Sequence, residues 1–178
     1  GVLARVYSEA AATGDVQYVR YGGGYQHFIP MGKKYAFALN ADIGIGQGLG
    51  NSIYPVFKNY YVGGLGSVRG FAQGSLGPRD VTGFVTGGPK KLVLNGEFYA
   101  PFPGVGNDKS LRLYAFVDAG NVFGHDEPIR LNELRSSYGT GLSWVSPMGP
   151  LRLAVANPVN KQSGDRITRL QFQIGNTF

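Results

Sequence analysis

Glycine is the residue type that first invites a chemical reading of this chain. Gly44-Ile45-Gly46-Gln47-Gly48-Leu49-Gly50 sets a glycine at every second position, and Gly83 and Gly88 stand at the spacing of a nucleotide-binding loop. A phosphate cradle needs a helix N-terminus behind the glycines and, in the P-loop, a lysine. No helical pattern follows Gly50, and Pro89 occupies the lysine position. The other chemistries are equally thin. The chain has no cysteine, which excludes thiolate metal sites, cysteine nucleophiles and a disulfide scaffold. His27 and His125 are isolated, and no Gly-x-Ser-x-Gly elbow is present. The sequence therefore predicts no enzyme, no metal site and no cofactor.

With chemistry absent from single side chains, composition and periodicity carry the reading. Glycine accounts for 29 of 178 residues, aromatics for 13% and charged residues for 16%, against a charged share of about 25% in ordinary soluble domains. The aromatic content excludes disorder, and no apolar run approaches the ~18 residues of a membrane-spanning helix. The 17 Lys+Arg against 11 Asp+Glu give a net charge of +6. These cations are scattered rather than clustered, which argues against a nucleic-acid surface. Gly1 opens neither a signal peptide nor an initiator Met, and the chain starts inside a strand pattern, so a piece of a longer protein is expected.

Alternation is the dominant signal. Tyr35, Phe37, Leu39, Ala41, Ile43 and Ile45 interleave with Ala36, Ala38, Asn40, Asp42 and Gly44, an apolar face of period 2 opposite a small or polar one. Leu111, Leu113, Ala115, Val117 and Ala119 do the same against Arg112, Tyr114, Phe116, Asp118 and Gly120. Leu92, Leu94 and Phe98 oppose Asn95, Glu97 and Tyr99, and Leu170, Phe172, Ile174 and Phe178 oppose Gln171, Gln173, Gly175 and Thr177. Strands are expected at 1–11, 16–29, 33–46, 91–101, 111–121, 137–146, 150–157 and 168–178. The stretches between them run about 4, 3, 44, 9, 15, 3 and 10 residues, so every second one is shorter than its neighbours.

Strands of about ten residues suit a tilted crossing of a bilayer, and short turns at one end with long loops at the other suit an outer-membrane barrel. Pro30, Pro101, Pro103 and Pro147 fall at the expected short ends, Pro30 within a turn at 30–32. Tyr21, Tyr25, Tyr99, Tyr138 and Trp144 are candidates for interfacial aromatic girdles. The terminal Phe178 adds to this pattern. A soluble β-sandwich binding an acidic ligand fits the alternation too and stays open.

The stretch 47–90 carries Gly63-Gly64, Leu65-Gly66-Ser67 and Val68-Arg69-Gly70-Phe71. This GG-x-x-x-VRGF string resembles the signature loop of the outer-membrane β-barrel assembly-factor superfamily. Phe172–Phe178 and the turn Trp144–Leu151 are similar to its assembly-factor branch in particular. The resemblance covers essentially the whole chain. It implies an all-β fold, a transmembrane antiparallel barrel of sixteen strands of which about eight are present. Residues 1–178 are then the C-terminal part of the barrel domain, without the periplasmic repeat domains. Such a piece has open edges through which it self-associates.

The resemblance also assigns residues. It folds the loop 47–90 back into the lumen, with Gly63, Gly64, Val68, Arg69, Gly70 and Phe71 as its motif, and sets Arg69 against wall carboxylates at Glu97 and Asp118. The alternation independently puts both acids on the face away from lipid, where an acid is least costly. Outside the resemblance Arg69 reads as a solvated loop arginine. Gly175 matches a position where the last strand kinks inward and opens a seam, with the strand 168–178, ending in Phe178, as one lip; relief of crowding in the lumen is the equal alternative. The implied function is the folding and insertion of other β-barrel proteins in a Gram-negative outer membrane. The implied partners are outer-membrane lipid, unfolded β-barrel substrates and accessory lipoproteins. A two-partner secretion or TamA-type transporter of the same superfamily is the second reading.

Overall fold

A computed structural model of the chain describes residues 1–106 and 108–175. Phe178 lies outside the described residues. The elements are strands β1 (Val2–Ala11), β2 (Tyr18–Met31), β3 (Tyr35–Gly48), β4 (Gly70–Phe71), β5 (Lys90–Pro101), β6 (Leu111–Phe123), β7 (Arg135–Ser146), β8 (Gly149–Pro158), β9 (Ile167–Thr168) and β10 (Leu170–Ile174), with 3₁₀ turns at Val56–Lys58 and Leu131–Glu133. Eight strands form one antiparallel sheet in the order β1-β2-β3-β5-β6-β7-β8-β10, and β4 with β9 forms a two-stranded ribbon. Sequential neighbours pair throughout, as an up-and-down meander does. The sheet is not closed: β1 and β10 are its two edges among the described residues.

Period 2 separates the faces. Tyr21, Tyr25, Leu39, Ile43, Val117, Tyr138, Val155 and Phe172 are exposed on one face, while Ala36, Val93, Tyr114, Phe116, Asp118 and Ala154 are buried on the other. A contiguous exposed apolar face on strands of this length is what lipid requires. Among the described residues no second sheet covers it, so the sandwich reading falls. Part of the stretch 49–89 packs on the opposite, inner face and brings its own apolar core. Val62, Val68, Phe71 and Leu76 of the loop cluster with Val93 of β5 and Val122 of β6, with Ile167 against them. Each such side chain, fully buried, contributes roughly 1.5–3 kcal/mol.

Glycine on the inner face makes room for rings of the loop and of the wall itself. A Cβ on Gly44 would lie 2.5 Å from the Tyr60 ring, and one on Gly139 would lie 2.7 Å from the Phe116 ring. Alternating small residues in the sequence are thus slots for aromatic rings rather than a ligand cradle.

Three features differ from the sequence expectation. The first short turn is 32–34, with Met31 opposite Tyr35, so Pro30 sits inside β2 opposite Ala36. The Phe28 N–H is directed towards β1, bonding the Gly1 carbonyl at 2.7 Å. The Pro30 nitrogen, two residues on, points the same way, so the missing donor costs the β2–β3 ladder nothing. Tyr99 is no girdle residue. It lies on the inner face with its ring 5.7 Å from that of Tyr114. The last strand is divided: Ile167–Thr168 pairs with β4, and Leu170–Ile174 pairs with β8.

Candidate functional site

The motif is presented by a tight loop. The Gly64 N–H donates to the Val68 carbonyl at 3.1 Å and the Ser67 N–H to the Gly64 carbonyl at 3.1 Å. The Ser67 hydroxyl accepts from the Gly63 N–H at 2.8 Å. Gly63 and Gly64 have φ of 123° and 102°, the left-handed region in which only glycine is unstrained. The turn delivers Val68 into the apolar cluster and Arg69 to the inner wall.

There Arg69 meets both carboxylates. Its Nε and Nη2 donate to the two oxygens of Asp118 at 2.7 and 2.6 Å, and its own backbone N–H adds a third bond at 3.0 Å. Its Nη1 donates to Glu97 at 2.5 Å. This is the bidentate geometry that a guanidinium provides and an ammonium cannot. The guanidinium also lies 3.8 Å from the centroid of Phe116. The Arg69 and Asp118 side chains are 2% and 0% exposed. Burial pulls the Arg69 pKa down, but the hydrogen bonds and charges of Asp118 and Glu97 outweigh it and raise it above the ordinary arginine range.

The wall supplies more than two acids. Glu97 also accepts from Arg152 Nη2 at 2.9 Å and from the Tyr99 hydroxyl. Asn95 donates to Asp118 at 2.8 Å and to the Ser67 carbonyl at 2.6 Å, and Asn40 donates to Asn95 at 2.8 Å. Two arginines therefore face two carboxylates, so no net charge is buried. The motif's second half turns to the end of the chain. Gly70 and Phe71 pair with Thr168 and Ile167, and a Cβ on Gly70 would meet Ala156 and Pro158, each at 3.1 Å. Arg152 and Asn95 were not singled out by the sequence reading as site residues; their inner-face parity was the available signal.

A second attachment holds the start of the same loop. Lys58 pairs with Glu9, which also accepts from the Tyr18 hydroxyl, and Arg20 approaches Glu9 at 3.5 Å. The Tyr7 and Tyr60 hydroxyls are 2.6 Å apart, and Lys91 pairs with Asp42. Nothing in the sequence motif pointed to this cluster.

Gly175 has φ of 89°, and a Cβ there would find no atom within 4 Å. Among the described residues, glycine at this position answers to backbone conformation and not to crowding. His27 lies on the outer face beside the Tyr25 hydroxyl at 3.2 Å, and the His125 carbonyl accepts from Lys90 at 3.1 Å. Among the described residues no three metal-binding side chains gather.

An apolar-faced antiparallel meander with a long loop folded onto its inner wall defines a membrane β-barrel protein of the inward-loop type. The chain matches the Omp85 superfamily domain over residues 1–178, and it belongs to that superfamily. It is 35% identical to the outer membrane protein assembly factor BamA of Neisseria meningitidis over its whole length, spanning 26% of that protein. It is 29% identical to the sorting and assembly machinery component 50 homolog of Mus musculus, again over its whole length and 41% of that protein. The crystal structure of BamA from Haemophilus ducreyi lacking POTRA domains 1–3 superposes on 97% of the chain with a TM-score of 0.90 at 28% identity, covering 37% of that chain. The chain thus spans under half the length of these relatives.

Proposed function

We propose that the chain is the C-terminal part of the barrel of an outer-membrane protein assembly factor, one that folds and inserts β-barrel proteins in a Gram-negative outer membrane. The remaining barrel strands and the periplasmic repeats belong to the rest of the protein. The observation that carries this reading is the VRGF loop held on the inner wall by Arg69 and against the last strands by β4, in a chain 35% identical to an assembly factor. The mechanism is one of backbone pairing. A strand entering lipid must satisfy every N–H and C=O, and an openable edge at β10 offers those groups by strand addition. Gly175, which has a positive φ and still donates its N–H to the Pro150 carbonyl at 2.7 Å, is the position in this reading at which the edge strand kinks and the closing pairing weakens. The partners are outer-membrane lipid, unfolded β-barrel substrates and accessory lipoproteins, with no nucleic acid, nucleotide or covalent step in the cycle. The isolated chain self-associates through the β1 and β10 edges.

The test uses the intact parent barrel in liposomes with an unfolded β-barrel substrate. Wild-type protein is expected to accelerate substrate insertion, and Arg69→Glu is expected to abolish the acceleration and expose the loop to protease. Insertion no faster than in empty liposomes sinks the proposal. Export of an extended passenger without insertion supports the two-partner secretion reading instead.

A further inference from the structure

We infer that Gln171 is a positioning residue that joins the VRGF loop to the last strand, so that the loop and β10 shift together. The inference rests on the reading of β10 as the seam strand. Gln171 sits on the inner face of β10, opposite Ala154 of β8. Its Oε1 accepts from the Gly70 N–H at 3.1 Å, and its Nε2 donates to the Phe71 carbonyl at 2.8 Å. One side-chain amide therefore supplies the donor and the acceptor that a backbone peptide would, as an added rung of ladder. It does so across 101 residues of sequence.

The adjoining contacts make this rung a junction. The residue before Gly70 is Arg69, whose N–H and side chain are fixed to Asp118 of β6. The residue after Phe71 is Ala72, whose N–H donates to the Arg166 carbonyl at 2.8 Å. The peptide between the arginine and the apolar cluster is thus held by β6 on one side and by the chain's final strands on the other.

Side-chain chemistry makes glutamine specific here. Glutamate accepts but does not donate, leucine of similar size does neither, and asparagine is one methylene short. Any inward kink of β10 at the seam draws on the Gln171 rung and hence on the motif, and by linkage any loosening of Arg69 is felt at β10 to the same degree.

The experiment is hydrogen exchange by NMR on the intact barrel in nanodiscs, comparing wild type, Gln171→Leu, Asp118→Asn and the double variant. Gln171→Leu is expected to speed exchange of the Gly70 amide roughly tenfold, the scale of one to two neutral hydrogen bonds, while the Arg69 amide on Asp118 stays protected. Asp118→Asn is expected to speed exchange along β10 when Gln171 is present and to add nothing once Gln171→Leu has been made. A merely structural glutamine gives additive effects instead. Additivity at β10, or an unchanged Gly70 amide, overturns the inference. If Gln171→Leu fails to fold, as heat-modifiable migration reads, Gln171→Glu carries the β10 comparison, and additivity there alone overturns the inference. It retains the acceptor for Gly70, whose amide stays protected, and loses the bond to Phe71. Substrate insertion by the wild type is scored separately. An inactive wild type removes the assembly reading, whereas additive exchange in an active barrel removes this inference alone.

Discussion

Two of the long loop's attachments to the sheet are salt bridges, and they differ in what surrounds the charges. At the β5–β6 wall, Arg69 is 2% exposed and Asp118 fully buried. Every hydrogen-bonding direction of that carboxylate is used, by Arg69 and by Asn95. At the β1–β2 end, Lys58 and Glu9 are 29% and 37% exposed. A buried pair is costly to break because the surviving charge is left without water or partner, whereas an exposed pair is screened and its members are re-solvated. One attachment is therefore a lock and the other a guide, although both are salt bridges.

This contrast is open to measurement on the intact barrel. The largest effect belongs to Asp118→Ala. It strands the Arg69 guanidinium on Glu97 alone, and a loss of roughly 3–5 kcal/mol is expected in denaturant unfolding, with the loop becoming protease-sensitive. An unchanged midpoint would abolish the distinction.

Gly120→Ala comes next. Its Cβ would fall 2.8 Å from Val68 and 2.9 Å from the Leu92 carbonyl; a backbone oxygen cannot swing aside, and overpacking of this kind costs about 1–3 kcal/mol. Gly44→Ala probes the other end and is expected to cost less. The nearest atoms there are the far end of the Tyr60 ring, which can rotate away at the expense of its hydroxyl contact with Tyr7. Equal losses from the two glycine variants would show that both ends are equally rigid. The smallest effect is that of Lys58→Ala, a change visible at low ionic strength and lost in high salt. A salt-independent loss would promote this pair to a lock.

Much of this was legible in the sequence. Period 2 was explicit in four of the eight sheet strands and put Glu97 and Asp118 on the inner face, and the VRGF string marked the loop. The positions that escaped did so for two physical reasons. Periodicity says which face a residue occupies but not which neighbour it meets, so Arg152 and Gln171 had the right parity and no visible partner. Their contacts are 55 and 101 residues away in sequence. Proline was read as a turn marker, yet Pro30 continues β2 because its nitrogen faces away from the β3 ladder. The Lys58–Glu9 cluster carried no signal, since its residues come from three separated stretches and form no motif.

The loop's three attachments have a mechanical consequence. Tyr60 and Lys58 are tied to β1, Arg69 to the middle of the sheet at β6, and the Gly70–Phe71 peptide to β10. The loop therefore runs across the inner wall from β1 to β10 and is pinned to β6 one residue before its β10 end. In that geometry it acts as a bowstring, and the sheet is the bow. The spacing of the three knots along the chain, at residues 58–60, 69 and 70–71, limits how far β1 and β10 can separate while all three hold. A loop lengthened between the first two knots slackens the shell on its β1 side alone.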